Sequence, residues 1–538
     1  MKNITVYDTT LRDGNQAEDV NFSLEDKLRI ARKLDELGIA YIEGGWPGAS
    51  PVDTAFFREM ASRPPGTSRI AAFGSTHHPS GTPAGDKNLA ALLASGAPTL
   101  AIVGKSSLAH VRQALRLTPE RYLEIVYDSV AFLKQAGREV FFDAEHFFDG
   151  LADDVEFPLA VLGKAREAGA DVLVLCDTNG GALPRDVGRA VARVRRTLPE
   201  AALGIHTHND CELAVATALA AVEAGAGMVQ GTVNGIGERC GNANLCSLIP
   251  VLEIKSRNYR CLPEGRLALL REVSAYVSEV ANMVPFSRQP FVGRSAFAHK
   301  GGIHVSAVNR NSALYEHISP SVVGNAQRVL LTELAGRSNI VAMARRFGFH
   351  LDKDEPVVKG LLAELKDKAS RGYDYAAAEA SVELLLLRKL GRRGVRDFFR
   401  LIRFRVLEFK QLNDDRPLSE ATVTLEVEGA IEHTAAFGDG PVNALDTALR
   451  KALSGFYPRL KEMRLVDFKV RVLAPTEQFR GTGSVVRVLI ESADQRGKWV
   501  TVGVSCNIIE ASWQALIDSV TYKLYRDENE NRAKKLAE

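Results

Sequence analysis

The chain has 538 residues, 46% of them apolar and 25% charged, with a formal net charge of +2. That length exceeds one ordinary core and predicts two to four domains, and the near-neutral balance offers no basic face to nucleic acid or to a membrane. No run is long and apolar enough to span a bilayer, no leader-like segment precedes the first apolar run, and six cysteines without a CxxC pair fit reduced thiols, so a cytoplasmic protein is expected.

Through the first half, short β-rich runs alternate with helical patterns. Strands are predicted at 3–11, 40–46, 69–75, 99–105, 139–147, 171–179, 203–210 and 227–235. The intervening segments are amphipathic. In SLEDKLRIARKLDELG, Ser23 can cap, Asp26 sits in the first turn, Leu24, Leu28, Ala31 and Leu34 share a face, and Gly38 ends the helix. ERYLEIVYDSVAFLKQAG and ELAVATALAAVEAG repeat that logic. Eight βα units in roughly 250 residues is the arithmetic of a TIM barrel, and the barrel is expected over 1–284.

Residues 285–399 open with the Gly- and His-bearing loop PFVGRSAFAHKGGIHVSAV and then turn largely helical, which reads as helical subdomains appended to the barrel. From 400 the pattern changes to longer alternating strands, LIRFRVLEF, ATVTLEVEG and IEHTAAFG, followed by the helix PVNALDTALRKAL. The order recurs in LVDFKVRVLA, SVVRVLIES, KWVTVGVSC and IIEASWQALIDSVTYKL, with Ala444 on Ala511, Ala448 on Ala515 and Leu449 on Leu516. Two βββα repeats therefore predict an α+β module over 400–526, with 527–538 a polar tail.

A TIM barrel carries its chemistry at the C-terminal ends of its strands, and there the polar residues of this chain collect. The first strand ends in Arg12 and Asp13, the second in Glu43, the fifth in Asp143 and Glu145, the sixth in Asp177, Thr178 and Asn179, and the seventh in His206, His208, Asn209 and Asp210. Spacing of i, i+2 on a strand turns His206 and His208 to one face. With Asp13 they form a donor set that leaves positions open, which suits a catalytic divalent ion, and Asn242 offers a fourth, weaker oxygen ligand. Such an ion polarises a ketone and holds a neighbouring carboxylate, pointing to a 2-oxo acid. Arg12 is then placed to offset charge developing on that ketone, unless it serves only as a salt bridge to Asp13 or Glu43. Glu145, turned inward with Asp143, is a candidate acid-base or positioning group, or else a brace for Arg12. Thr178 can donate to a substrate carboxylate.

TLRDG at 10–14, HTHND at 206–210, GIGERCGN at 235–242 and GGIHVSAV at 301–308 together resemble the DRE-TIM metallolyase superfamily, in its branch of 2-isopropylmalate, homocitrate and citramalate synthases. EGGWPGASPVD, FDAEHFFDG and TVGVSCNIIEASWQAL look most like the citramalate-forming members. The resemblance implies an acyltransferase that condenses acetyl-CoA with pyruvate and hydrolyses the thioester, opening a pyruvate route to isoleucine. It implies a divalent ion (Mg, Mn, Zn or Co) on Asp13, His206 and His208, with Asn242 completing or bracing the shell. Pyruvate would be held by Arg12, Gln16 and Thr178, with Asp143 lining its site, and Glu145 would position or activate the acetyl group. His304 and Tyr315 match a helical-region pair that acts in acetyl-CoA deprotonation or thioester hydrolysis. The C-terminal repeat resembles that branch's allosteric module, which implies isoleucine as effector and a homodimer.

Overall fold

The computed structural model describes residues 1–256, 258–300, 302–329, 336–375, 378–390, 396–410, 416–473 and 484–537. Two compact units divide the chain: Met1–Phe297 with Ile318–Ala326, and Ala298–His317 with Gln327–Glu538.

In the first unit eight parallel strands close into a barrel in chain order: β1 (Thr5–Asp8), β2 (Tyr41–Gly45), β3 (Arg69–Ser75), β4 (Thr99–Lys105), β5 (Glu139–Glu145), β6 (Val172–Asp177), β7 (Leu203–Thr207) and β8 (Met228–Gly231). The closing pair β1 and β8 is parallel, with Thr5 opposite Met228. Barrel strands have one side chain layer inside and helices outside, so they read as nearly continuous apolar runs. Tyr7, Phe73, Phe141, Val174 and Met228 fill the interior, while the larger core lies between strands and helices. Helix Leu24–Leu37 shows how the local sequence sets the outer layer. Ser23 and Asp26 form a reciprocal capping box, Leu28, Ala31 and Leu34 are buried, and Gly38 ends the helix at φ 90°, a conformation that costs glycine least.

All eight strands lie where the sequence places them, but several stop early. β1 ends at Asp8 because the amides of Arg12, Asp13 and Gly14 all turn back to the carbonyl of Thr9, while the Asp8 carboxylate accepts from Thr10 N and Oγ1. Arg12 and Asp13 therefore stand on a turn above the strand rather than at its end.

In the second unit, helices Arg337–Arg346, Pro356–Ser370 and Glu379–Leu390 share a core of Ile340, Met343, Val358, Leu361 and Leu386. GGIHVSAV is not the expected loop: Gly302–Arg310 is helical, because Val305 and Val308 are buried at i, i+3 spacing, and Gly301 lies outside the described residues.

The C-terminal repeat forms two three-stranded antiparallel sheets, Arg400–Phe409, Leu418–Val427 and Ala430–Gly438, then Arg464–Val472, Val486–Asp494 and Gly497–Ser505. Ala421, Val423, Leu425 and Val427 are buried at period two, and the following helix Pro441–Leu453 buries Ala444, Leu445, Ala448 and Leu449. Their repeat mates Ala511, Ala515 and Leu516 are buried in the last helix, Ile508–Ala537. That helix runs through most of the segment read as a polar tail. Lys523 and Asp527, i, i+4 on it, pair at 2.9 Å within a cluster that also holds Glu462 and Asp494.

Candidate active site

A cavity of about 230 Å³ opens among the ends of the barrel strands, lined by Arg12, Asp13, Gln16, Asp143, Glu145, Thr178, His206 and His208. Trp46, Phe73, Val103 and Cys176 supply its apolar side.

The candidate metal-ligating set is compact and buried. The ligand atoms of Asp13, His206 and His208 all lie within 4.8 Å of one another. His206 Nε2 stands 3.3 Å from Asp13 Oδ2 and 3.4 Å from His208 Nε2. On its other side His206 Nδ1 meets Gln230 Oε1 at 2.9 Å, and Gln230 Nε2 donates to Asp143 Oδ1 at 3.2 Å. Donation from Nδ1 to Gln230 leaves Nε2 to turn a lone pair toward the space shared with Asp13 and His208. Asn242 bridges to His208 through the backbone, and its Oδ1 is buried with no hydrogen-bond partner among the described residues. A buried amide oxygen on the residue bridged to His208 is of the donor type a divalent ion would accept.

Electrostatics agree with that fit. Burial alone would raise the Asp13 carboxyl, but Arg12 and then His206 outweigh it and hold the group well below the usual carboxylate range. Burial and the neighbouring His206 lower His208 to about 4, so its ring is neutral and free to ligate near pH 7. Asp143 is pushed up to about 7 by burial and by the charge of Glu43.

Arg12 makes both of the contacts weighed for it. Its Nε donates to Glu43 Oε2 at 2.6 Å, its Nη1 stands 3.5 Å from Asp13 Oδ2, and its guanidinium lies 4.0 Å over the Phe73 ring. Tyr7 OH donates to the other oxygen of Glu43 at 2.8 Å. Glu43, not Glu145 or Asp143, is therefore the brace for Arg12. Glu145 pairs instead with Lys105, and Thr178 Oγ1 accepts the His146 amide at 2.8 Å, leaving its own hydrogen for a ligand.

The Gly44-Gly45-Trp46 turn at the end of β2 is held from below. Lys27 pairs with Asp53 and donates to the Gly44 carbonyl at 3.1 Å, and Asp53 Oδ2 accepts the Trp46 amide at 2.8 Å. Gly45 sits at φ 138°, where a Cβ would meet the Asp53 carboxylate at 2.3 Å. Trp46 is pinned by Nε1 to Asn88 Oδ1 at 2.7 Å and stands edge-on to Phe73.

Of the site residues singled out from the sequence, the barrel places eight around one cavity, while Asn242 lines a separate pocket and is tied to His208 through the backbone. His304 and Tyr315 belong to the second unit, where both are exposed and their rings stand 4.4 Å apart. Gln230, Lys105 and Tyr7 went unread. Gln230 and Lys105 are polar residues within the otherwise apolar runs MVQG and TLAIVGK, which was the available signal; Tyr7 looks like any core aromatic.

Comparison with known proteins adds the following. The HMGL-like family matches residues 3–277, the homocitrate synthase post-HMGL domain-like family 291–373, and the LeuA allosteric (dimerisation) domain 376–524. An (R)-citramalate synthase of Geobacter sulfurreducens is 52% identical over 99% of this chain and 100% of its own length. One of Aquifex aeolicus is 50% identical over 98% of this chain and 99% of its own. This chain belongs to the (R)-citramalate synthase family. A 2-isopropylmalate synthase of Methanocaldococcus jannaschii stands further off, 29% identical over 98% of this chain and 95% of its own. As a member of the (R)-citramalate synthase family, the chain carries the family's TIM barrel and LeuA domain in one polypeptide.

Proposed function

We propose that the chain is an acyltransferase that condenses acetyl-CoA with pyruvate and hydrolyses the thioester, releasing CoA and (R)-citramalate at the start of a pyruvate route to isoleucine. The observation that carries this reading is the convergence of Asp13, His206, His208, Arg12 and Glu145 on one small cavity, in a chain half identical over its full length to (R)-citramalate synthases.

Asp13, His206 and His208 would hold a divalent ion (Mg, Mn, Zn or Co), with Asn242 as the fourth donor. When bound, the ion supplies Lewis-acid polarisation of the substrate ketone. Arg12, anchored through Nε to Glu43, turns its remaining N–H groups toward the oxygen that gains charge. Gln16 and the free hydroxyl hydrogen of Thr178 hold the pyruvate carboxylate, and Asp143 closes the floor beside them. Glu145 takes a proton from the acetyl methyl group, and the resulting carbon nucleophile adds to the ketone. With Glu145 as the base, His304 and Tyr315 are assigned to the thioester hydrolysis that follows. Trp46, Phe73 and Val103 face the methyl group of pyruvate. An isopropyl group adds two carbons to a cavity of this size, where each extra methylene changes discrimination by about 1–3 kcal/mol.

The C-terminal module over 400–526 is read as an isoleucine-responsive, dimer-forming domain. Support comes from the LeuA match and from apolar side chains left exposed on its sheets, among them Ile431, Phe437 and Val472. A cytoplasmic location is supported by cysteines that are all free, and among the described residues no helix is long and apolar enough to cross a membrane. Metal-dependent release of free thiol from acetyl-CoA plus pyruvate tests the reading. Release with 2-oxoisovalerate instead would make the chain a 2-isopropylmalate synthase.

A further inference from the structure

Behind Glu145, away from the cavity, stands a group of ionisable side chains that the proposed reaction does not use. Lys105, from the end of β4, pairs with Glu145 Oε2. On the opposite side, His146 Nε2 stands 3.9 Å from Glu145 Oε1. His146 Nδ1 in turn meets Asp149 Oδ2 at 3.3 Å, and that same oxygen accepts from Asn179 Nδ2 at 2.8 Å. The ring of His110 lies 4.0 Å from that of His146, centroid to centroid. His146 is largely buried, and its backbone is left-handed at φ 58°, a conformation that costs a non-glycine residue free energy and persists where surrounding contacts impose it. Those contacts are the His146 amide to Thr178 Oγ1 and the Gly150 amide to the His146 carbonyl. The strained backbone thus places one imidazole between two carboxylates.

We propose that His146 is a positioning residue for the acetyl step, an imidazole oriented by Asp149 that draws the proton off Glu145 and returns that carboxylate to its ionised form. The inference rests on the reading of Glu145 as the group that takes the acetyl proton. Glu145 accepts the methyl proton while the C–H electron pair stays on carbon as the enolate. With Lys105 held on Oε2, the proton resides on Oε1. It then passes to His146 Nε2, which is a free acceptor because Nδ1–H is donated to Asp149. The product is a carboxylate at 145 and an imidazolium flanked by Asp149 and Glu145, which loses its proton to water before the next turnover. Transfer requires the 3.9 Å separation to shorten, as acid-base contacts commonly do when substrate binds.

The charged and titratable groups around His146 are Glu145 and Asp149, Lys105 on the far oxygen of Glu145, and His110. Since His146 Nε2 accepts only when the ring is neutral, the proposal predicts a fall of kcat on the acid side that depends on this side chain. His146→Asn tests this, because asparagine tolerates the left-handed backbone and keeps the amide donor to Thr178. The expected result is a fall in kcat of roughly 10- to 100-fold, the lower part of the range for acid-base groups, with KM for pyruvate within twofold of the parent and the acid limb lost. Asp149→Asn should lower kcat less and alter the acid limb, because the carboxylate that orients the imidazole through Nδ1 is gone. This second variant decides the matter should the first not fold. An unchanged acid limb in either variant overturns the proposal, as does His146→Asn with kcat within twofold of the parent. Glu145→Gln separates the two readings: if it keeps kcat within tenfold, the role of Glu145 itself is wrong, whereas an inactive Glu145→Gln beside an unaltered His146→Asn removes only the relay.

Discussion

Arg12 is fixed on three sides, by the Glu43 carboxylate, by Asp13 and by the face of Phe73. A guanidinium satisfies all three because it is planar and carries several donors. Arg12→Lys should therefore lower kcat by about 10²- to 10³-fold, the loss expected for one preorganised donor at a developing charge, with an unchanged melting temperature as control. The second prediction concerns Gln230, whose amide sets the tautomer of His206. Gln230→Leu should weaken divalent-ion binding by about 10- to 100-fold, as lost outer contacts to a ligating histidine do, read by metal titration. Asp13 and the histidine pair were legible because HTH on a strand and RDG above a barrel have few other uses. Lys105 and Gln230 were harder to read, since each acts through a neighbour set by barrel closure, and separations such as the 24 and 87 residues from Gln230 to His206 and Asp143 leave no local pattern.

Whole strands and helices were read more easily than their ends. Hydrophobic periodicity reports the middle of an element, where burial is uniform, and ends are decided by turn chemistry such as the Thr9 carbonyl that gathers three amides. Gly302–Arg310 was misjudged because its glycines outweighed the Val305 and Val308 spacing. Two predictions belong at this scale. Lys27→Ala leaves Asp53 buried without its partner and should destabilise the barrel by about 3–5 kcal/mol, measured by denaturant unfolding. In the C-terminal module, burial would raise Asp494, but the Arg496 amide with the Lys523 and Arg496 side chains outweighs it and holds the carboxyl at about 2. Its folded pKa is thus depressed below the unfolded value of about 3.9. The associated stability is complete above that unfolded value and lost as pH falls toward 2. Acid unfolding followed by tryptophan fluorescence should therefore show a module transition between about pH 4 and 2 that Asp494→Asn removes.

At the scale of the molecule, one chain joins a barrel carrying a candidate Asp-His-His metal site to a repeat module whose sheets leave apolar residues exposed. The alternation of strands and helices and the duplicated βββα order made both legible, while the division at Phe297 and Ala298 was not, because the chain crosses back to the barrel over Ile318–Ala326. Light scattering should give twice the mass of one chain. The central claim is the pairing of acetyl-CoA with pyruvate, and thiol release by the intact protein against a panel of 2-oxo acids, with and without a chelator, tests it most directly. The account predicts release with pyruvate that the chelator abolishes and a divalent ion restores, with kcat/KM for pyruvate above that for 2-oxoisovalerate. Faster release with 2-oxoisovalerate, or release with pyruvate that survives metal removal, would contradict it.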